Sequence, residues 1–150
     1  MKNNKKVIYI FFTVLCMLVI FTFSSKNSTV SNQTSKQLIN KVITSYEKIS
    51  HKNIDKEELI NKLNYPIRKL AHYSIYLILG IFVYNIFLIS KIKNKETISI
   101  IVCFIYASLD EFHQLFVIGR TAQVKDILID TLGSITAVII LKYIKNKRNN

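Results

Sequence analysis

Residues 108–133 read SLDEFHQLFVIGRTAQVKDILIDTLG, a polar centre set between apolar flanks. Upstream, 97–109 is almost wholly apolar. It then meets Asp110, Glu111, His113 and Gln114, and turns apolar again over 115–118. Gly119, Arg120 and Thr121 mark a turn. Asp126 and Asp130 open a further apolar run that continues to Ile144. The pattern predicts two apolar helices, 97–117 and 126–144, joined by a short polar turn. Their charged residues gather at the joined end.

Working outward, a tight basic loop, KIKNKE, occupies 91–96, and a third apolar run fills 70–90 behind Arg68 and Lys69. The first apolar run, 7–23, follows Lys2, Lys5 and Lys6. At about 1.5 Å per residue it is just long enough for a hydrocarbon core of about 30 Å. No small-x-small cleavage site follows it, and bulky Leu15 before Cys16 argues against a lipoprotein signal, so it reads as an uncleaved helix. Between the first two runs lies an outer loop, 24–65. Its start, FSSKNSTVSNQTS, reads as loop. From Ser35 onward, Leu38, Ile39, Val42, Ile43, Tyr46 and Ile49 recur at three and four residues, one face of an amphipathic helix. Asp55 followed by Glu58 resembles a capping box opening a second short helix, which Pro66 ends or joins to the next element. Both helices are expected on the membrane surface or capping the bundle.

Composition agrees. The chain has 150 residues, half of them hydrophobic, yet a net charge of +12 with only three Gly and one Pro. Apolar helices joined by lysine-rich loops combine these features naturally. Because the lysines flank the apolar runs, the basic excess points to a membrane surface and not to nucleic acid. Cys16 and Cys103 fall inside apolar runs and read as small buried hydrophobes. The expected fold is all-α: one domain over 1–150, an integral membrane bundle of four transmembrane helices (7–23, 70–90, 97–117, 126–144) with an outer amphipathic segment between the first two. Lysines concentrate at the N-terminus, in KIKNKE and in the tail, which predicts a multi-pass cell-membrane protein with both termini cytoplasmic.

In that topology Arg68, Lys69 and His72 meet Asp110, Glu111, His113 and Gln114, Arg120, Asp126 and Asp130 near the outer face. An unpaired carboxylate at the depth of Asp110 costs about 2.5–3.5 kcal/mol on insertion scales. Arg68, Lys69, Arg120 and Lys125 could neutralise Asp110, Glu111, Asp126 and Asp130. The cluster is therefore either an internal ion-pair network or a functional site. No metal or cofactor is expected, since no HExxH is present and the Glu111–His113 spacing is wrong for that motif. Tyr76 and Tyr84 read as packing or interface aromatics, Ser24 and Ser25 as groups satisfying the outer helix end, and Gly80 and Gly133 as close-packing positions.

At these residues the sequence resembles the VanZ-like family of membrane proteins. FTFSS at 21–25 is similar to its serine motif. RKLAHYSIYLILG at 68–80 is similar to its Arg-Lys-x-x-His block, and 108–133 to its Asp-Glu-x-His-Gln, Gly-Arg and Asp-x-x-x-Asp block. Ile75 stands where many members carry Glu, and Ile118 where many carry Pro. The name-giving member is associated with reduced susceptibility to teicoplanin, a lipid-tailed glycopeptide. The resemblance thus implies action at the outer leaflet on a lipid-linked or envelope component, with a lipid-linked cell-wall precursor or lipoglycopeptide as partner alongside membrane lipids.

Two chemistries stay open. In a binding factor, Arg68, Lys69 and Arg120 contact phosphate or carboxylate, His72 and Gln114 add hydrogen bonds, and the acids, including Asp126 and Asp130, position the cations. In an intramembrane enzyme, Glu111 or Asp110 serves as general acid or base with His113 or His72 as partner. A four-helix transporter without internal repeats is the weakest of the readings.

Overall fold

The computed structural model describes residues 2–50 and 55–149; residues 51–54, part of the expected outer loop, lie outside them. The described residues form five helices: α1 Lys2–Ser24, α2 Ser28–Ser50, α3 Lys56–Ile89, α4 Lys95–Gln114 and α5 Val124–Asn149. α3 packs against each of the other four. α1, α3 and α5 are long and apolar enough to cross a membrane. α4 is outside that set; its last turn carries Asp110, Glu111, His113 and Gln114.

Three expectations about boundaries are corrected. The segment after Ser24 is not an extended loop: α2 begins at Ser28, seven residues before the expected start. Its start is capped by Asn27, whose side-chain oxygen accepts the Val30 N–H at 3.1 Å. Leu38, Val42, Tyr46 and Ile49 stay exposed, while Ser35, Ile39 and Ile43 are buried, so the packed face is rotated from the apolar stripe read off the sequence.

Pro66 neither ends nor starts a helix; it sits inside α3. Pro66 is exposed and so is Lys62, whose carbonyl loses its helical donor to the proline, leaving that carbonyl open to solvent. Asp55 forms the expected cap, accepting the Glu58 N–H at 3.2 Å, but the helix it opens is α3 itself, one continuous helix in place of the expected short helix and separate 70–90 span. α4 stops at Gln114, short of 117. The chain winds on through tighter turns, with Leu115, Phe116 and Val117 each bonded three residues back, before Gly119 reverses it at φ +74°. A Cβ on Gly119 would sit 2.5 Å from the Ser28 hydroxyl, so this turn rests directly on the start of α2.

The α3–α5 contact is the closest in the bundle. A Cβ on Gly133 would collide with the Tyr73 carbonyl oxygen, and one on Gly80 would lie 3.0 Å from the Ser134 Cα. Small residues let the backbones approach. Ser134 Oγ then reaches the Tyr76 carbonyl at 3.2 Å, and the Tyr73 hydroxyl donates to Thr136 Oγ1 at 2.8 Å. Cys16, Ile20, Tyr76, Leu79, Val83, Cys103 and Ala107 fill the core, so both cysteines are buried hydrophobes as read. Outward, Phe11, Leu18, Phe104, Leu109, Leu132 and Ile139 are all exposed. An apolar surface on this scale marks a membrane protein.

Gly133→Ala is expected to force α3 and α5 apart and lower unfolding stability in detergent micelles by about 1–3 kcal/mol. A thermal or denaturant melt of the purified variant measures it.

Candidate functional site

The polar cluster assembles where α1 ends, α4 ends and α5 begins. Ser24, in the last turn of α1, donates its hydroxyl to Asp110 Oδ1 at 2.7 Å, fully buried. Gln114 lies one turn beyond Asp110 on α4, so its side chain folds back over both acids. Its Nε2 donates to Asp110 Oδ2 at 3.1 Å and to Glu111 Oε1 at 3.0 Å. The second Glu111 oxygen accepts the Gln123 backbone N–H at 2.9 Å. Neutral donors therefore give each oxygen of these two buried carboxylates a hydrogen bond.

The Gln114 amide has one face left. With its nitrogen on the acids, its oxygen accepts from Arg120 Nη1 at 3.2 Å. Arg120 also donates to the Lys26 carbonyl at 3.1 Å and the Phe23 carbonyl at 3.3 Å, closing the C-terminal end of α1. Arg68 likewise binds an amide: its Nη1 donates to Asn32 Oδ1 on α2 at 2.7 Å. Neither arginine forms an ion pair among the described residues. Burial lowers the Arg120 pKa, and the neighbouring Arg68 charge lowers it further, against the pull of Asp110, Glu111 and Asp126.

Of the expected Lys/Arg–carboxylate pairs within the cluster, one forms: Lys69 with Asp126, both mostly buried. Lys125 is exposed and joins none. His72 Nδ1 is 3.7 Å from Asp130 Oδ1. Asp130 is completely buried, and neither of its oxygens has a hydrogen bond among the described residues. His113 turns aside, its ring 4.7 Å from that of Phe21 and its Nε2 3.2 Å from the Ser25 hydroxyl. The ion-pair network allowed by the charge balance is thus replaced by a chain of neutral donors and one salt bridge.

Beside this cluster α1, α2 and α3 enclose a cleft of about 320 Å³. Arg68, Arg120, His72 and Lys26 line it, with Ile20 and Ile75 among its apolar walls. Among the described residues no carboxylate lines it. The expected set therefore divides: Arg68, His72 and Arg120 line the cleft, while Lys69, Gln114, Asp126, Asp130, Asp110, Glu111 and His113 do not. Sequence reasoning missed two contributions. Ser24 partners Asp110 as well as ending a helix. Ser31, Asn32 and Ser35 belong to the site, the two serines as cleft wall and Asn32 as the Arg68 acceptor. Their spacing of one, three and four residues, in line with buried Ile39, was the available signal. The described residues hold no group of three or more His, Cys, Asp or Glu suited to a metal ion.

The VanZ/LLP1 family model matches residues 9–145. No curated protein and no solved structure matches the chain.

Removing one member of the buried Lys69–Asp126 pair leaves the other charge stranded. Asp126→Ala is expected to cost about 3 kcal/mol of stability, and the double variant Lys69→Met, Asp126→Leu to recover most of it. Equilibrium unfolding in micelles distinguishes the two.

Proposed function

The chain belongs to the VanZ/LLP1 family, and from that premise we propose that it binds the anionic headgroup of a lipid-linked envelope component at the outer leaflet. In this reading it is a four-span protein of the bacterial cell membrane with both termini cytoplasmic. α4 serves as the fourth span: its 20 residues extend about 30 Å. Ile101, Phe104, Ile105, Leu109 and Phe112 are exposed along it, as lipid-facing residues would be. The basic ends of α1 and α5 and the 91–95 lysines then lie inside, and the cleft opens outside.

One observation carries the binding reading: Arg68 and Arg120 line a cleft without a carboxylate partner, bonded only to amide and carbonyl oxygens. Two half-buried guanidinium groups held this way favour an anion between them, and planar forks suit phosphate or carboxylate. The apolar walls suit the first carbons of a lipid chain. Occupying such a headgroup, or shielding it, would lower susceptibility to a lipoglycopeptide such as teicoplanin that seeks the same surface.

The enzyme reading rests on Asp110, Glu111 and His113. The His113–Ser25 approach of 3.2 Å supports it. Against it, every oxygen of both acids already accepts a hydrogen bond and neither acid lines the cleft.

Mass spectrometry of lipid retained by the purified protein separates the readings. Wild type is expected to carry an anionic envelope lipid, and Arg68→Ala or Arg120→Ala to reduce it about tenfold or more, the loss of one charge-assisted contact. Equal retention in all three proteins overturns the binding site. Glu111→Gln should keep most of the lipid. A chemically altered lipid in the wild type, unaltered in Glu111→Gln, would favour the enzyme.

A further inference from the structure

At the other end of the bundle, the last turns of α3 and α5 enclose a second cleft of about 270 Å³. Asn85 in its wall lies seventeen residues beyond Arg68 on the same helix, about 25 Å away, so the two clefts are separate. Tyr84, Asn85, Lys145 and Arg148 line it, with Leu88 and Leu141 as apolar walls. Lys145 and Arg148 are three residues apart on α5 and share a face. Neither forms an ion pair among the described residues, and Glu96, the carboxylate whose charge acts on Tyr84, is held by Lys95 at 3.2 Å. Tyr84 is only 1% exposed, yet its hydroxyl has no hydrogen-bond partner among the described residues. A buried phenol without a partner is costly unless something accepts its proton.

We propose that this second cleft is a phosphate site for an anionic phospholipid of the leaflet bordering that end. Arg148 supplies a two-pronged donor, Lys145 a point charge, and the Tyr84 hydroxyl a neutral donor from the floor. Leu88 and Leu141 meet the glycerol and upper acyl carbons. A lipid source fits better than a soluble phosphate because Ile144, also in the lining, is 47% exposed and leads onto the apolar surface of α5. The site requires the membrane reading of the bundle but is independent of the outer cleft.

The test places the full chain in nanodiscs of equal parts phosphatidylglycerol and phosphatidylcholine, followed by native mass spectrometry of the released protein. Wild type should retain phosphatidylglycerol over phosphatidylcholine. The Lys145→Ala, Arg148→Ala variant should lose that preference about tenfold and Tyr84→Phe several-fold. Lys145 and Arg148 lie outside the packed core, and Tyr84→Phe keeps the buried ring and removes only the hydroxyl, so both variants are expected to stay folded. An Arg68→Ala, Arg120→Ala variant should keep the binding lost in the Lys145 and Arg148 variant, which separates this site from the outer one. Unchanged phosphatidylglycerol retention in the Lys145 and Arg148 variant overturns the proposal. So does displacement of the lipid by millimolar inorganic phosphate, which would identify a soluble ligand.

Discussion

The Gln114 amide sits between two carboxylates and a guanidinium, and the arrangement of this end of the bundle follows from how it is turned. Its nitrogen donates to Asp110 and Glu111, which forces its oxygen toward Arg120. Had the acids lacked this donor, together with Ser24 and the Gln123 backbone, they would draw on the surrounding cations, Arg120 among them. The arginine would then swing inward and the cleft would lose a cation. Neutral donors thus separate negative charge, kept inside the bundle, from positive charge, kept along the cleft. Asn32 does the same for Arg68 from α2.

Such a separation requires helices that do not slide. Gly133 and Gly80 bring α3 and α5 into backbone contact, and α3 in turn touches every other helix. Arg68, Lys69 and His72 therefore stand at fixed heights against Asp126 and Asp130. Lys69 is drawn to Asp126, leaving Arg68 for the cleft. The buried Tyr76 hydroxyl and Asp130 depart from this pattern; Asp130 is wholly buried, faces His72 at 3.7 Å, and has no donor among the described residues. Together with the Tyr84 hydroxyl at the far end, it shows that this bundle keeps unpaired polar groups where packing alone would have removed them.

Much of this was legible in the sequence. The apolar runs located α1, α4 and α5, the Asp55 cap located the start of α3, and the convergence of distant charges at one end was read correctly. Other features depended on facts that periodicity does not contain. Sequence alone places a boundary at Pro66 because an interior proline usually marks one; its exposed setting makes a continuous helix tolerable. The 24–34 stretch looked like loop because Ser, Asn and Thr favour turns, but its Asn27 cap and its contacts with α3 and the Gly119 turn hold it helical. Charge counting suggested a neutral ion-pair network. It could not anticipate that Ser24, Gln114 and a backbone N–H would satisfy the acids, since which partner a carboxylate chooses is settled by packing geometry and not by composition.

In the proposed function, Arg68 and Arg120 close on one phosphate or carboxylate in the cleft between α1, α2 and α3. The chain contains three arginines, Arg68, Arg120 and Arg148, so guanidinium labelling is nearly site-specific. The most direct measurement is solid-state NMR distance recoupling between ¹⁵N-labelled arginine and ³¹P, in membranes and in an Arg148→Lys background. The account predicts that both remaining guanidinium groups lie at hydrogen-bonding contact with phosphorus from a bound headgroup. Absence of that coupling, with the arginines instead close only to labelled Gln114 and Asn32 side chains, would contradict it for a phosphate ligand; absence also of coupling to an added ¹³C-carboxylate amphiphile would contradict it altogether.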